Sequence, residues 1–126
     1  MTADIMMVTF NRLDLTIQTL KSLMETTDHP FNLIIIDNAS TDGTVEALRR
    51  IRKEPWFHSS GFLEDFHLIE NKENEGIARG RNKALLKSTE AWLVTIDNDV
   101  VLNKGWLTEA INILNAHKNY GGIGVN

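Results

Sequence analysis

Leu33-Ile34-Ile35-Ile36 runs directly into Asp37-Asn38-Ala39-Ser40-Thr41-Asp42-Gly43-Thr44, and Trp92-Leu93-Val94-Thr95-Ile96 runs into Asp97-Asn98-Asp99. Short unbroken apolar runs are how strands buried on both faces of a parallel sheet read. Open α/β sheets bind ligands just beyond the carboxyl ends of such strands. The two acidic clusters therefore fall where a sheet of this kind takes its ligand.

Working outward, Ile5 to Phe10 reads as a first strand. Asn11 can cap the helix that follows, with Leu13, Ile17, Leu20 and Met24 at helical spacing. Pro30 cannot continue that helix, and Phe31 to Ile36 is the second strand. Asp42-Gly43-Thr44 opens a second helix with Val45, Leu48 and Ile51 on one face, ending before Pro55. Trp56 to Glu64 has no clear period and reads as a loop. Phe66 to Ile69 is a third strand, and Asn71 to Gly76 a polar turn. A helix then runs from Ile77 to about Ser88, with Ala78, Asn82, Leu85 and Leu86 available for its inner face. Ala91 to Ile96 is a fourth strand, and Lys104 to His117 a helix with Leu107, Ile111 and Leu114 in register. Gly121 to Val125 begins a fifth strand. Alternating strands and helices predict an α/β fold, a mostly parallel sheet with helices on both faces.

Composition narrows the function classes. The 126 residues suit one domain, and 42% hydrophobic with 24% charged residues is enough for a packed core. Lys and Arg number 13 against 17 Asp and Glu, a net charge of −4, so nucleic acid is not an expected partner. A small anion remains possible where a metal or a local Arg offsets the charge. The chain has no Cys, which excludes disulfides and thiolate chemistry. Met1-Thr2-Ala3-Asp4 lacks a signal peptide's basic region, and no apolar run is long enough to span a bilayer. The expectation is a soluble, cytoplasmic chain, with a peripheral position at the membrane left open.

Asp97 and Asp99 sit two apart, so in an extended segment both carboxylates face one way and can share a divalent cation. A solvated turn after a strand is the competing reading. Asp37 can accept hydrogen bonds from a base or ribose, whereas Thr41 and Asp42 are better read as helix caps. Gly76 permits an unusual turn, and Arg79 and Arg81 stand near a helix start, where the dipole disfavours cations. Either could pair with a phosphate or with Asp37 or Asp97; Arg81 reads more simply as a surface residue. No Gly-Lys-Ser/Thr ending marks a P-loop, and no Gly-x-Gly-x-x-Gly follows the first strand. His29, His58, His67 and His117 are scattered without metal spacing, and Trp56, Trp92 and Trp106 read as core or interface.

Taken together, four segments resemble the nucleotide-binding half of family-2 glycosyltransferases, of the GT-A fold. They are Val8-Thr9-Phe10-Asn11-Arg12, Ile36 to Thr44, Asn74 to Asn82 and Asp97-Asn98-Asp99. The resemblance implies a nucleotide-diphosphate-sugar donor, UDP-sugar favoured, and Mn²⁺ or Mg²⁺. It places Thr9, Asn11, Arg12, Asp37, Asn38, Arg79 and Asp97 at the nucleotide, and Asp97 and Asp99 at the metal. Family members invert the anomeric centre by direct displacement, with a carboxylate base from a later part of the domain. The expectation is thus one donor-binding domain over 1–126, truncated at its C-terminus, with the acceptor and catalytic base unassigned. Only Glu109 follows Asp99 among the acids, and it lies on a predicted helix away from the site.

Two other readings stand beside this one. A non-catalytic module of the same fold could pair with a second copy or a partner chain through the edge strand at 121–125. A sugar nucleotidyltransferase shares the architecture, but the missing glycine-rich loop argues against it.

Overall fold

The computed structural model describes residues 2–124. Four strands, β1 (Ala3–Thr9), β2 (Phe31–Asp37), β3 (Leu63–Glu70) and β4 (Trp92–Ile96), form one sheet in the order β3-β2-β1-β4. Every pairing is parallel. Helices α1 (Leu13–Thr26), α2 (Thr44–Arg50), α3 (Gly76–Lys87) and α4 (Trp106–Ala116) make the connections and the covering layers.

Alternation along the central strands divides the core. Ile5, Met7, Leu33 and Ile35 meet Leu20 and Leu23 of α1, Leu48 of α2 and Leu107 of α4. Met6, Ile34 and Ile36 face the other way, onto Ala84 of α3. The chain steps outward from β1 to β2 to β3, then returns through α3 to the far side of β1. That reversal makes a topological switch point between β1 and β4, where a sheet of this type opens a crevice.

The face of α3 differs from the expected one. Gly80 and Ala84 are its buried residues, while Leu85 and Leu86 are 54% and 87% exposed. The reason is distance: a Cβ at Gly80 would stand 2.9 Å from Val8 Cγ2 and 3.1 Å from Val8 Cγ1. Small residues let α3 lie close to the sheet, and larger apolar ones on that line would not fit. Gly80→Ala is expected to cost about 1–3 kcal/mol by overpacking, because the branched Val8 side chain has little freedom to yield. Urea unfolding measures this, and an unchanged midpoint would refute the close-approach account.

Two further expectations are corrected. The stretch 56–64 is not simply a loop: Pro55–His58 forms a 3₁₀ turn that buries Phe57 completely, edge-on to Phe66. A single turn has no period to detect. Residues 121–124 form no strand. Three of those four are Gly, which lose most entropy on ordering and offer no side chain to pack. Val125 lies outside the described residues.

At the amino end of the sheet, Asp4 is 2% exposed. Its Oδ2 accepts from Ser88 Oγ (2.7 Å), Thr89 N (2.9 Å) and Glu90 N (3.0 Å), and Oδ1 from Asn32 Nδ2 (3.0 Å). This one carboxylate ties the α3–β4 turn to the strands it must rejoin. Burial pushes its carboxyl up, but the hydrogen bonds from Ser88, Glu90, Asn32 and Thr89 outweigh that and hold it below the ordinary range. Among the described residues no helix is long and apolar enough to cross a membrane.

Candidate functional site

The carboxyl ends of the strands lie level. Thr9 is in register with Asp37, Asp37 with Glu70, and Met7 with Ile96. The loops leaving these ends are fastened to one another by side chains. Asp37 is 1% exposed. Its Oδ1 accepts from Thr9 Oγ1 (2.8 Å) and Ser40 Oγ (2.6 Å), and its Oδ2 from Ser40 N (2.9 Å). Thr9 and Asp37 thus hold the loop from beneath.

The backbone above them is strained. Asn11, Arg12 and Ala39 all have left-handed φ, at 54°, 58° and 61°. Such conformations persist only where surroundings enforce them, and they concentrate at functional sites. Here the enforcement is visible: Asn11 N donates to Ser40 Oγ (2.8 Å), and Thr41 N donates to Asn11 Oδ1 (2.7 Å). Asn11 therefore braces the neighbouring loop and does not cap α1. Thr41 does not cap α2 as expected: Gly43 holds the N-cap position, in left-handed backbone and without a side-chain cap. Asp42 serves both helices: Oδ2 accepts from Leu13 N (3.0 Å) at the start of α1, and Oδ1 from Thr44 N (3.1 Å) at the start of α2. The hydrogen bond from the Thr44 hydroxyl is the main reason its carboxyl lies below the ordinary range.

Asn38, 2% exposed, clasps the β3–α3 turn. Its Nδ2 donates to Gly76 O (3.1 Å), and its Oδ1 accepts from Asn71 Nδ2 (2.7 Å). Lys83 Nζ donates to Asn71 Oδ1 (2.5 Å) and stands 2.7 Å from Glu75 Oε2, so α3 is pinned to the same turn.

The segment after β4 is held by a different device. Asn98 Nδ2, Val100 N and Leu102 N donate to Thr16 Oγ1 (3.1 Å), Thr19 Oγ1 (3.0 Å) and Ser22 Oγ (2.7 Å). These three hydroxyls, spaced i, i+3 and i+6 on α1, are buried. Sequence reading passed over them, although weak helix formers repeating at helical spacing beside an apolar face were the available signal.

Asp97 and Asp99 remain accessible, with side chains 66% and 44% exposed. Each faces an arginine: Arg81 Nη2 is 3.4 Å from Asp97 Oδ1, and Arg12 Nη1 is 3.6 Å from Asp99 Oδ2. They border a recess of about 240 Å³ between β1, β4 and α3, lined also by Met6, Val8, Ile77 and Ile96. A second recess of about 340 Å³ adjoins it through Val8, Ile77 and Asn98, and reaches Phe10, Arg12, Asn38, Asn74 and Gly76. The trough thus lies at the switch point, with the amino end of α3 on its rim. That end carries partial positive charge and favours an anion. Arg79, exposed, is not among the lining residues. Residues two apart on a helix point about 200° apart, so a helix that turns Arg81 inward turns Arg79 out.

Over residues 4–125 the sequence matches Glycosyl transferase family 2. The chain belongs to this family. A relative, the uncharacterized glycosyltransferase YfnE of Bacillus subtilis (strain 168), is 33% identical over 122 residues, covering 94% of this chain and 28% of its own. Among solved structures, the mannosyltransferase PcManGT from Pyrobaculum calidifontis, in complex with GDP-Man and Mn²⁺, superposes with a TM-score of 0.76 at 28% identity. That match covers 89% of this chain and 32% of PcManGT. S. aureus TarS 1-349 in complex with UDP gives a TM-score of 0.75 at 22% identity, covering 100% of this chain and 38% of TarS, and speaks to the fold alone. The sheet is the GT-A arrangement of these enzymes, and this chain spans about a third of their length.

Proposed function

We propose that this chain is the donor-binding part of a family 2 glycosyltransferase, taking a nucleoside diphosphate sugar together with Mn²⁺ or Mg²⁺. The observation that carries this is the trough at the switch point, with two accessible carboxylates and two arginines on one rim. Carboxylate, arginine and helix amino end are the groups that a cation–diphosphate pair requires.

The residues present fit a divalent cation. Asp97 and Asp99 offer hard oxygen donors at the mouth of the recess. Among the described residues no cluster of three or more acidic or histidine side chains forms a complete cage. Two carboxylates, completed by substrate phosphate, suit Mg²⁺ or Mn²⁺, which are commonly held in this way. When bound, such a cation stabilises negative charge on the departing diphosphate.

In this reading Arg12 and Arg81 leave their exposed carboxylate partners and hold phosphate oxygens, and Arg79 stays at the outer approach. The recess beside Phe10, Arg12, Asn38 and Asn74 takes the nucleoside. Thr9, Asn11 and Asp37 act from below and beside it by fixing the loops. The acceptor and the catalytic base are not assigned to residues of this chain. Support comes from the family match and from a GDP-Man and Mn²⁺ complex of a similar structure.

Calorimetric titration of UDP and GDP, each with and without Mn²⁺, tests the proposal. Binding of at least one nucleotide only in the presence of Mn²⁺ is expected. At a hundredfold excess over Kd the ligand adds about 2.7 kcal/mol of stability, which thermal unfolding registers independently. A folded protein that binds neither nucleotide would remove the donor-site reading.

A further inference from the structure

We infer that Thr16 is a positioning residue for the Asp97-Asn98-Asp99 motif, acting through its hydrogen bond to Asn98. This rests on the donor-site reading above and adds to it the element that sets the geometry of the motif. Asn98 stands between the two exposed carboxylates, in the turn that follows β4, and borders both recesses. Its Nδ2 is 3.1 Å from Thr16 Oγ1, and Thr16 is fully buried in α1.

The rest of the segment explains why Thr16 matters more than its neighbours. Beyond β4 the backbone has left the sheet, so no strand ladder holds residues 98–102. The hydroxyls of Thr16, Thr19 and Ser22 replace that ladder, one bond to every second residue. Thr19 and Ser22 act downstream of the motif, on Val100 and Leu102. Thr16 alone of the three acts inside it. Fixing the central side chain of the motif against a buried helix face fixes the turn that presents both carboxylates at the recess. Thr16 touches neither nucleotide nor cation in this account.

The test compares Thr16→Val, Thr16→Ser and Ser22→Ala in the 126-residue chain. Mn²⁺ affinity is measured in the presence of UDP or GDP, whichever the wild type binds, and the Mn²⁺ electron paramagnetic resonance line shape is recorded. Thermal unfolding is followed in parallel. Thr16→Val keeps the side-chain shape but removes the acceptor. It is expected to weaken Mn²⁺ binding about tenfold, the lower range for groups one layer behind a metal ligand, and to broaden the Mn²⁺ signal. Thr16→Ser restores both. Ser22→Ala lowers the melting temperature and leaves affinity and line shape as in the wild type. A folded Thr16→Val protein with unchanged affinity and line shape would overturn the inference. Equal weakening in Ser22→Ala would also overturn it, by showing a general effect of stability. A wild type without Mn²⁺-dependent nucleotide binding would instead remove the donor-site reading on which the inference stands.

Discussion

Asp99→Ala is expected to abolish Mn²⁺-dependent nucleotide binding while leaving the fold nearly as stable as before. The two halves of this result have separate causes. Asp99 is 44% exposed, and its ion pair with Arg12 spans 3.6 Å between two accessible side chains. Pairs of that kind contribute at most about 1 kcal/mol. Binding is different, because a cation held by two protein carboxylates loses half its protein ligands. Groups one layer further out already change metal affinity by roughly 10–100-fold, so loss of a direct ligand should exceed about a hundredfold. Calorimetry with Mn²⁺ and nucleotide, beside thermal unfolding without ligand, separates the effects. If the variant binds with wild-type affinity, the motif is a solvated turn and the cation sits elsewhere.

Asp4→Ala is expected to give the largest loss of stability, about 3 kcal/mol. It strands the Ser88 hydroxyl and the amides of Thr89 and Glu90 at a part-buried turn, and each unsatisfied donor costs about 1–3 kcal/mol when buried, less where water reaches it. The same carboxylate predicts a pH dependence. Its folded-state pKa lies below the ordinary value of 3.8, so folding favours the ionised form. The stability it lends is therefore complete above the ordinary carboxyl range and fades as pH falls through the lowered folded value. Asp4→Asn should show a shallower loss of stability than the wild type below about pH 4. Parallel acid-denaturation curves for the two proteins would count against this assignment.

The strands and their order of appearance were legible because β1, β2 and β4 are buried or half-buried runs whose apolar residues need no partner to be recognised. The site loops were legible as segments, but the division of labour within them was not. Asp37 and Asp97 look alike in sequence. One is sealed by Thr9 and Ser40, and the other opens on the recess. That difference depends on which donors the folded loops bring together. Which of Arg79 and Arg81 borders the recess depends on the rotation of α3, which places Gly80 against Val8. Phe57 was hidden in a single turn too short for periodicity. Asp4 was overlooked because its partners Ser88, Thr89 and Glu90 lie 84 to 86 residues away in sequence and meet it only through the β1–β4 pairing.

That pairing also orders the events of synthesis. β1 leaves the ribosome ahead of the other strands, yet it lies inside the sheet, with Ala3 opposite Phe31 on one side and Trp92 on the other. Its first neighbour follows soon, whereas the second is translated only after β3 and α3. Until β4 is translated, then, the nascent chain carries Ile5, Met6 and Met7 along an unpaired edge. Unpaired apolar edges are the surfaces through which unfinished chains aggregate and which chaperones cover. The strand order that opens a crevice between β1 and β4 thus leaves the same boundary open until β4 is made.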